Sequence, residues 1–409
     1  MSGVVVAGAG QAGLQLAASL REAGYDGDVT LVGDEPFAPY QRPPLSKAYL
    51  AGKTDAAGLG LRAEGFYADN RVGLRLGTRA TAIDRTGRRL ILEGGEALSY
   101  EHLVLALGAR NRPLPVPGFD LAGVRQLRGL ADADALKGAL ADVAAVAVVG
   151  AGFIGLEFAA VAAARGLSVT VIEAADRPMA RAVSAEMGAF FRAAHEAAGI
   201  RFRFGSGVAA LEGEGGRVAG LRLSEGGTVP ADLVVVGIGV LPNQEIAREA
   251  GLAAEDGIRV DAMLATDDPA ISAIGDCARF HSPYAAGLTA DGTVRIESVQ
   301  NAIDQGRCLA ARLTGRPASY EAVPWFWSDQ GPYKLQMAGL AAPGDASVIR
   351  GRGEAFSVFR FRHDRLSAVE SVNRPADHMI ARRLLAARTP LTPEQAADPG
   401  LDLKALVAK

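Results

Sequence analysis

The chain has 409 residues, 49% hydrophobic and 22% charged, with 50 glycines and a formal net charge of -3. That length sustains two or three ordinary cores, and the scattered basic residues leave no electrostatic footprint for nucleic acid. Cys277 and Cys308 lack the short spacing of a redox dithiol or a zinc site, and the five histidines lack ligand spacing, so no protein-bound metal is expected.

The run Val4-Val5-Val6-Ala7 is a short β-branched strand leading into Gly8-Ala9-Gly10-Gln11-Ala12-Gly13, followed by a small-residue helix predicted over residues 13–23. Gly-x-Gly-x-x-Gly between strand and helix is the turn that brings backbone N–H groups against a pyrophosphate. A second strand, residues 29–33, ends at Asp34 and Glu35, where a ribose would lie. Met1 leads almost directly into the first strand, which leaves no room for a secretion signal and points to the cytoplasm.

Proline density over residues 36–47 predicts a stiffened loop, with Arg42 and Lys47 facing an anionic cofactor. Strands are predicted at residues 80–83, 89–92 and 103–107, and the proline-rich residues 112–118 read as a domain crossover.

In mid-chain the pattern returns: Val146-Ala147-Val148-Val149 enters Gly150-Ala151-Gly152-Phe153-Ile154-Gly155. Residues 143–164 are apolar apart from Glu157, but their glycines and strand-then-turn pattern fit a buried βα unit better than a membrane span. The next strand, residues 168–172, ends at Glu173. A carboxylate about 4 Å from a 2'-phosphate repels it by roughly 4 kcal/mol per unit charge at an effective dielectric near 20, which favours NADH over NADPH. Arg177 and Arg181 lie close enough in sequence to weaken that preference.

A strand at residues 233–239 closes this second unit, and residues 270–276 form a strand ending at Asp276 that returns to the first. A helix starts at Val299 and stops at Thr314-Gly315; its Arg307, Arg312 and Arg316, with Lys334, form a candidate basic patch for an acidic partner. Beyond Pro317 the pattern alternates, with strands at 356–361 and 366–370 joined across His363-Asp364-Arg365, and Thr392-Pro393-Glu394-Gln395 reads as a capped helix start. The expected fold is α/β: two Rossmann-like dinucleotide-binding domains plus a C-terminal α+β domain. The expected extents are 1–110 with 242–318 (discontinuous), 111–241, and 319–409.

The two glycine motifs, Arg42-Pro43-Pro44-Leu45-Ser46-Lys47, Ile274-Gly275-Asp276-Cys277-Ala278-Arg279-Phe280, Arg295-Ile296-Glu297-Ser298-Val299 and Pro324-Trp325-Phe326-Trp327-Ser328-Asp329-Gln330 closely resemble those of putidaredoxin-reductase-like ferredoxin reductases. The resemblance covers essentially the whole chain. It implies FAD in the first domain, NADH in the second, and single electrons passed to a 2Fe-2S ferredoxin that serves a haem-thiolate monooxygenase. The alternatives are the NADH-dependent reductase of a Rieske-type ring-hydroxylating dioxygenase and a rubredoxin reductase.

Residue by residue, the resemblance implies FAD pyrophosphate at Gly8, Gly10, Ala12 and Gly13, its adenosine ribose at Asp34 and its ribityl chain at Asp276. Ala80 and Arg128 fall on the adenine and phosphate side, Arg42 among the cofactor-binding residues, Lys47 beside the flavin N5, and Val299 at the pyrimidine edge, where a helix N-terminus favours negative charge. Gly150, Gly152, Ile154, Gly155, Glu173 and Gly239 fall to the nicotinamide dinucleotide, with Glu157 near the nicotinamide amide and Trp327 facing the ferredoxin. Lys47, Glu157 and Trp327 are thus the candidate catalytic residues, acting by orientation and electrostatics.

One departure stands at Ala106-Leu107-Gly108, where the family carries Ala-Thr-Gly; the lost hydroxyl removes a hydrogen bond of about 1 kcal/mol. A related flavoenzyme using a disulfide or sulfenic acid needs a reactive cysteine beside the flavin, where Ser46 and Lys47 stand instead.

Overall fold

The computed structural model describes residues 3–407, which cluster into two compact units. The first takes in residues up to 41, 60–110 and 241–326; the second takes in 42–59, 111–240 and everything from 327 onward.

The first unit is built on a parallel sheet ordered Ile271–Ala273, His102–Leu105, Val4–Ala7, Val29–Val32 and Val72–Arg75. Its central strand Val4–Ala7 is buried throughout, as a parallel strand covered on both faces must be. The helices Gln11–Glu22 and Val299–Leu313 approach closely: a Cβ on Gly306 would lie 3.0 Å from the Leu16 backbone nitrogen. The first helix begins two residues before the predicted Gly13, because extended Gly10 already serves as its N-cap. The strand predicted over 270–276 stops at Ala273, since Gly275 turns to φ 76° and opens a single 3-10 turn, Gly275–Cys277.

The second unit has its own parallel sheet, ordered Arg201–Phe204, Ser168–Glu173, Ala145–Val149, Leu233–Val236 and Val124–Arg125, with the helix Phe153–Ala164 following its central strand. A further sheet orders Trp325–Gln330, Tyr333–Gly339, Arg365–Val372, Ala355–Arg362 and Ala346–Arg352, and the helix Pro375–Ala387 packs on it. Ala355–Arg362 and Arg365–Val372 are joined by His363 and Asp364, both at left-handed φ (47° and 58°), the two-residue turn whose twist matches a hairpin. The predicted capping box at Thr392 is present, with Gln395 Oε1 and Thr392 Oγ1 each accepting the other's backbone N–H. Within the proline-rich segment, Pro43–Ser46 forms a 3-10 turn rather than an open loop, with its prolines at the first positions, where no N–H is needed. Among the described residues no helix is long and apolar enough to cross a membrane.

Candidate functional site

Each unit carries one glycine turn, and in both the three glycines are required for different reasons. In the first, Gly8 sits at φ 129° and a Cβ there would lie 2.0 Å from the Ala106 carbonyl oxygen; a Cβ on Gly13 would lie 2.1 Å from the Gly8 oxygen. In the second, Gly150 (φ 102°) would meet the Gly237 oxygen at 2.5 Å, and Gly155 the Gly150 oxygen at 2.3 Å. These four glycines are explained by the chain's own packing. The middle glycines are not: a Cβ on Gly10 would meet no atom within 4 Å, and one on Gly152 only the Gly237 oxygen at 3.9 Å. Space in front of a helix N-terminus that no chain atom fills is what a pyrophosphate needs, so both turns fit a dinucleotide.

Around the first turn, Asp34 is 60% exposed and meets Arg79 at 3.7 Å, while the neighbouring Glu35 accepts the Tyr40 hydroxyl at 2.6 Å. Asp34 is therefore the acid open to a ribose. Ala80 begins the strand Ala80–Asp84. Ala12 supports the Asp276 turn from below, with a Cβ on Gly275 falling 3.1 Å from its side chain. Val299 opens its helix behind Ser298, whose hydroxyl accepts the Asn301 N–H. At the departure Ala106-Leu107-Gly108, Asn243 donates to the Leu107 carbonyl from its side chain (2.9 Å) and to the Gly108 carbonyl from its backbone (3.0 Å).

Around the second turn, Glu173 folds onto the turn itself. Its carboxylate accepts the Ala151 N–H at 2.7 Å and the Ala175 N–H at 2.8 Å. Arg177 is tied to the carbonyls of Ala180 and Val183 (3.1 and 3.2 Å), whereas Arg181 is exposed near Gly239. Ile154 is 40% exposed in the first turn of its helix.

Glu157 is 4% exposed and closely bonded. It receives the Lys47 ammonium at 2.9 Å, the Ser46 hydroxyl at 2.5 Å and the Ser328 hydroxyl at 2.6 Å. A carboxylate this buried needs such partners, since an unpaired buried charge costs several kcal/mol. Arg42 donates to the Arg128 carbonyl at 2.9 Å, which brings these two expected residues together. Trp327 is half-buried beside Ser328. Sequence reading missed Ser46 and Ser328 as partners of this acid, and Gln330 behind Ser328; only the strand alternation at 327–330 marks Ser328 and Gln330 as inward-facing.

Two expectations are decided by chemistry. Cys277 is fully buried, its Sγ 3.4 Å from the carbonyls of both Leu105 and Ile274, and burial pushes its thiol up to about 11. Cys308 is also raised by burial. Neither presents a thiolate. Arg312 does not belong to a surface patch: it is half-buried and donates to the Met263 carbonyl and the Ser272 hydroxyl (2.9 and 2.6 Å). Arg307 and Arg316 are exposed.

Two parallel-sheet units, each with a dinucleotide cradle, and two cysteines that are not poised to ionise describe a protein that holds two dinucleotides and does without thiol chemistry. Residues 2–306 match the family model described as pyridine nucleotide-disulphide oxidoreductase, and residues 325–407 match that described as reductase C-terminal. Rhodocoxin reductase of Rhodococcus erythropolis is 52% identical over 408 residues, 99% of this chain and 94% of the relative. The crystal structure of the ferredoxin reductase for the CYP199A2 system from Rhodopseudomonas palustris has 51% identity and a TM-score of 0.96, with both chains covered completely. The putidaredoxin reductase of a covalent complex with putidaredoxin has 41% identity and a TM-score of 0.95, covering 100% of this chain and 98% of the other. The chain belongs to the pyridine nucleotide-disulphide oxidoreductase family and, within it, to the putidaredoxin-reductase-like ferredoxin reductases. It is a flavoprotein oxidoreductase that uses FAD and NAD(P)H.

Proposed function

We propose that the chain is an NADH-dependent reductase of a 2Fe-2S ferredoxin serving a haem-thiolate monooxygenase, working in the cytoplasm. FAD is assigned to residues 1–110 with 242–318, NADH to 111–241, and a supporting role beside the partner to 319–409. The space before Gly10 and Gly152 carries the two-nucleotide reading, and the full-length likeness to reductases named for rhodocoxin and putidaredoxin supports the partner class.

When bound, FAD takes a hydride from NADH and releases electrons one at a time. The chain's own contribution is binding and orientation. Gly8, Gly10, Ala12 and Gly13 would receive the FAD pyrophosphate; Asp34 would take a ribose, Asp276 the ribityl chain, Ala80 and Arg128 the adenine and phosphate side, and Arg42 would face the anionic cofactor. The helix starting at Val299 offers N–H groups to the pyrimidine edge. Gly150, Gly152, Ile154, Gly155 and Gly239 receive NADH, and Glu173, pinned by two backbone N–H groups, accepts from its ribose and repels a 2'-phosphate. Arg177 is held by two carbonyls, which turns its donors away from a 2'-phosphate but leaves its charge in place. Lys47 and Glu157 form a mutually neutralising pair that holds the nicotinamide end, and Trp327 faces the ferredoxin.

The test is an anaerobic titration of the yellow holoprotein. NADH bleaches the flavin at micromolar concentration and electrons then appear in an added 2Fe-2S ferredoxin. Bleaching by NADPH alone overturns the role of Glu173, and flavin reduction without transfer to any such ferredoxin overturns the partner class.

A further inference from the structure

Beyond Ser46 and Lys47, the Glu157 carboxylate is reached by a chain of buried side chains from two other parts of the second unit. Ser328 and Gln330 are 0% and 1% exposed, and His195 is 3% exposed. Ser328 Oγ lies 2.6 Å from Glu157 Oε1; Gln330 Nε2 lies 3.2 Å from Ser328 Oγ; Gln330 Oε1 lies 2.8 Å from His195 Nε2.

The direction of these bonds follows from their end point. A carboxylate can only accept, so the single Ser328 proton points to Glu157. Ser328 must then accept from the next group, which places the Gln330 NH2 toward it and the Gln330 oxygen toward His195. His195 therefore carries its proton on Nε2. Burial pushes the His195 pKa down, consistent with a neutral imidazole in that tautomer. One donor from each of His195, Gln330 and Ser328 is directed along the chain toward Glu157, and aligned hydrogen bonds of this kind polarise one another.

Two further contacts fix the ends. Gln330 Nε2 also lies 3.4 Å from Met179 Sδ, and the Met179 N–H donates to the Ala151 carbonyl of the second glycine turn at 2.9 Å. The helix Ala185–Ala197, which carries His195 in its last turn, has as its N-cap Ser184, whose N–H and hydroxyl both donate to buried Glu370 (3.0 and 2.6 Å). The C-terminal sheet thus grips this helix at both ends, through Glu370 and Gln330.

We propose that Ser328 and Gln330 are positioning residues of the nicotinamide site: through a one-way hydrogen-bond chain starting at His195, they hold the Glu157 carboxylate in the orientation that receives NADH. The C-terminal domain is then a structural part of the electron-donor side, and the strand that carries Trp327 toward the partner carries Ser328 and Gln330 toward the donor. The inference rests on the reading of Glu157 as the acid near the nicotinamide.

The test follows flavin bleaching by NADH in anaerobic stopped flow in wild type, Ser328→Ala, Glu157→Gln and the double variant, each checked for full FAD content. Removal of one charge-assisted donor is expected to raise the half-saturating NADH concentration about tenfold in Ser328→Ala. In the Glu157→Gln background the same change is expected to add less than about twofold, because Ser328 acts through that carboxylate. Additive effects of the two substitutions overturn the positioning role while leaving the Glu157 reading intact. An unchanged half-saturation in Glu157→Gln alone overturns the Glu157 reading and the inference with it. Should Ser328→Ala lose FAD, Gln330→Met, which leaves the serine hydroxyl on Glu157 without a donor behind it, is expected to raise half-saturation about threefold, again only when Glu157 is present; no rise overturns the proposal.

Discussion

The two glycine turns share their geometry but differ in what surrounds it. In both, the first and third glycines are forced by the chain's own carbonyls and the middle glycine faces open space. Two residues past the third glycine, however, the first helix has Gln15, which bonds within its own helix to Ser19 at 2.9 Å, while the second has Glu157, bonded to Ser46, Lys47 and Ser328. The acids after the second strands differ in the same sense. Asp34 is largely exposed, with Arg79 at 3.7 Å, whereas Glu173 is fixed by two N–H groups. A resident cofactor can order its own site once and stay. A nucleotide that must bind and leave in every cycle gains more from groups already in place, because the ordering cost recurs with each binding event. The preset turn is thus the one suited to the exchangeable nucleotide.

The strongest way to break this comparison is at the middle glycines. Gly10→Val has room in the chain and is expected to fold, with unchanged far-ultraviolet circular dichroism, yet to purify colourless and inactive. Gly8→Val at the adjacent forced position is expected not to fold at all, since its Cβ falls on a carbonyl. A yellow Gly10→Val protein would place FAD elsewhere.

Glu173→Gln sharpens the second half. Removing the charge while keeping one acceptor is expected to lower the NADH over NADPH preference, measured as the ratio of kcat/KM values, by about tenfold or more. An unchanged ratio would transfer the preference to another group.

Protonation affects both regions alike. His102 in the first unit and His378 in the second are each lowered to about 4 by burial, and Arg312 and Arg382 respectively press them down further. Their folded forms are neutral, so the unfolded chain binds more protons below pH 6.5. Stability is full above that value and is lost as pH falls toward 4, by about 2 kcal/mol per group on reaching pH 5. The melting temperature is expected to fall between pH 7 and 5; a flat profile would deny that these histidines are buried and neutral. The smallest effect is expected from the double variant Cys277→Ser, Cys308→Ser, whose NADH-to-ferredoxin turnover should stay within about twofold of wild type, because neither thiol is poised to ionise.

Much of this was legible in the sequence. Glycine spacing and β-branched runs locate both turns, and the acids Asp34 and Glu173 follow from the ends of the next strands. The capping box at Thr392 and the helix start at Val299 are local signals, and local signals survive folding. The partners of Glu157 were not legible. Ser328 lies 171 residues away and reaches it only through the three-dimensional packing of the second unit. Arg312 was misread for the same reason: on a helix it looks like its exposed neighbour Arg307, but Ser272 and the Met263 carbonyl, remote in sequence, draw it inward. The strand before Asp276 ends earlier than its apolar run, because Gly275 takes a left-handed φ of 76°, a break that only the glycine itself signals.

The most direct measurement of the account is the anaerobic NADH titration of Gly152→Val. The variant is expected to remain yellow, with FAD bound and reducible by dithionite, while NADH at concentrations that fully bleach the wild type leaves its flavin oxidised. Undiminished bleaching by NADH would contradict the assignment of the second turn to the donor nucleotide.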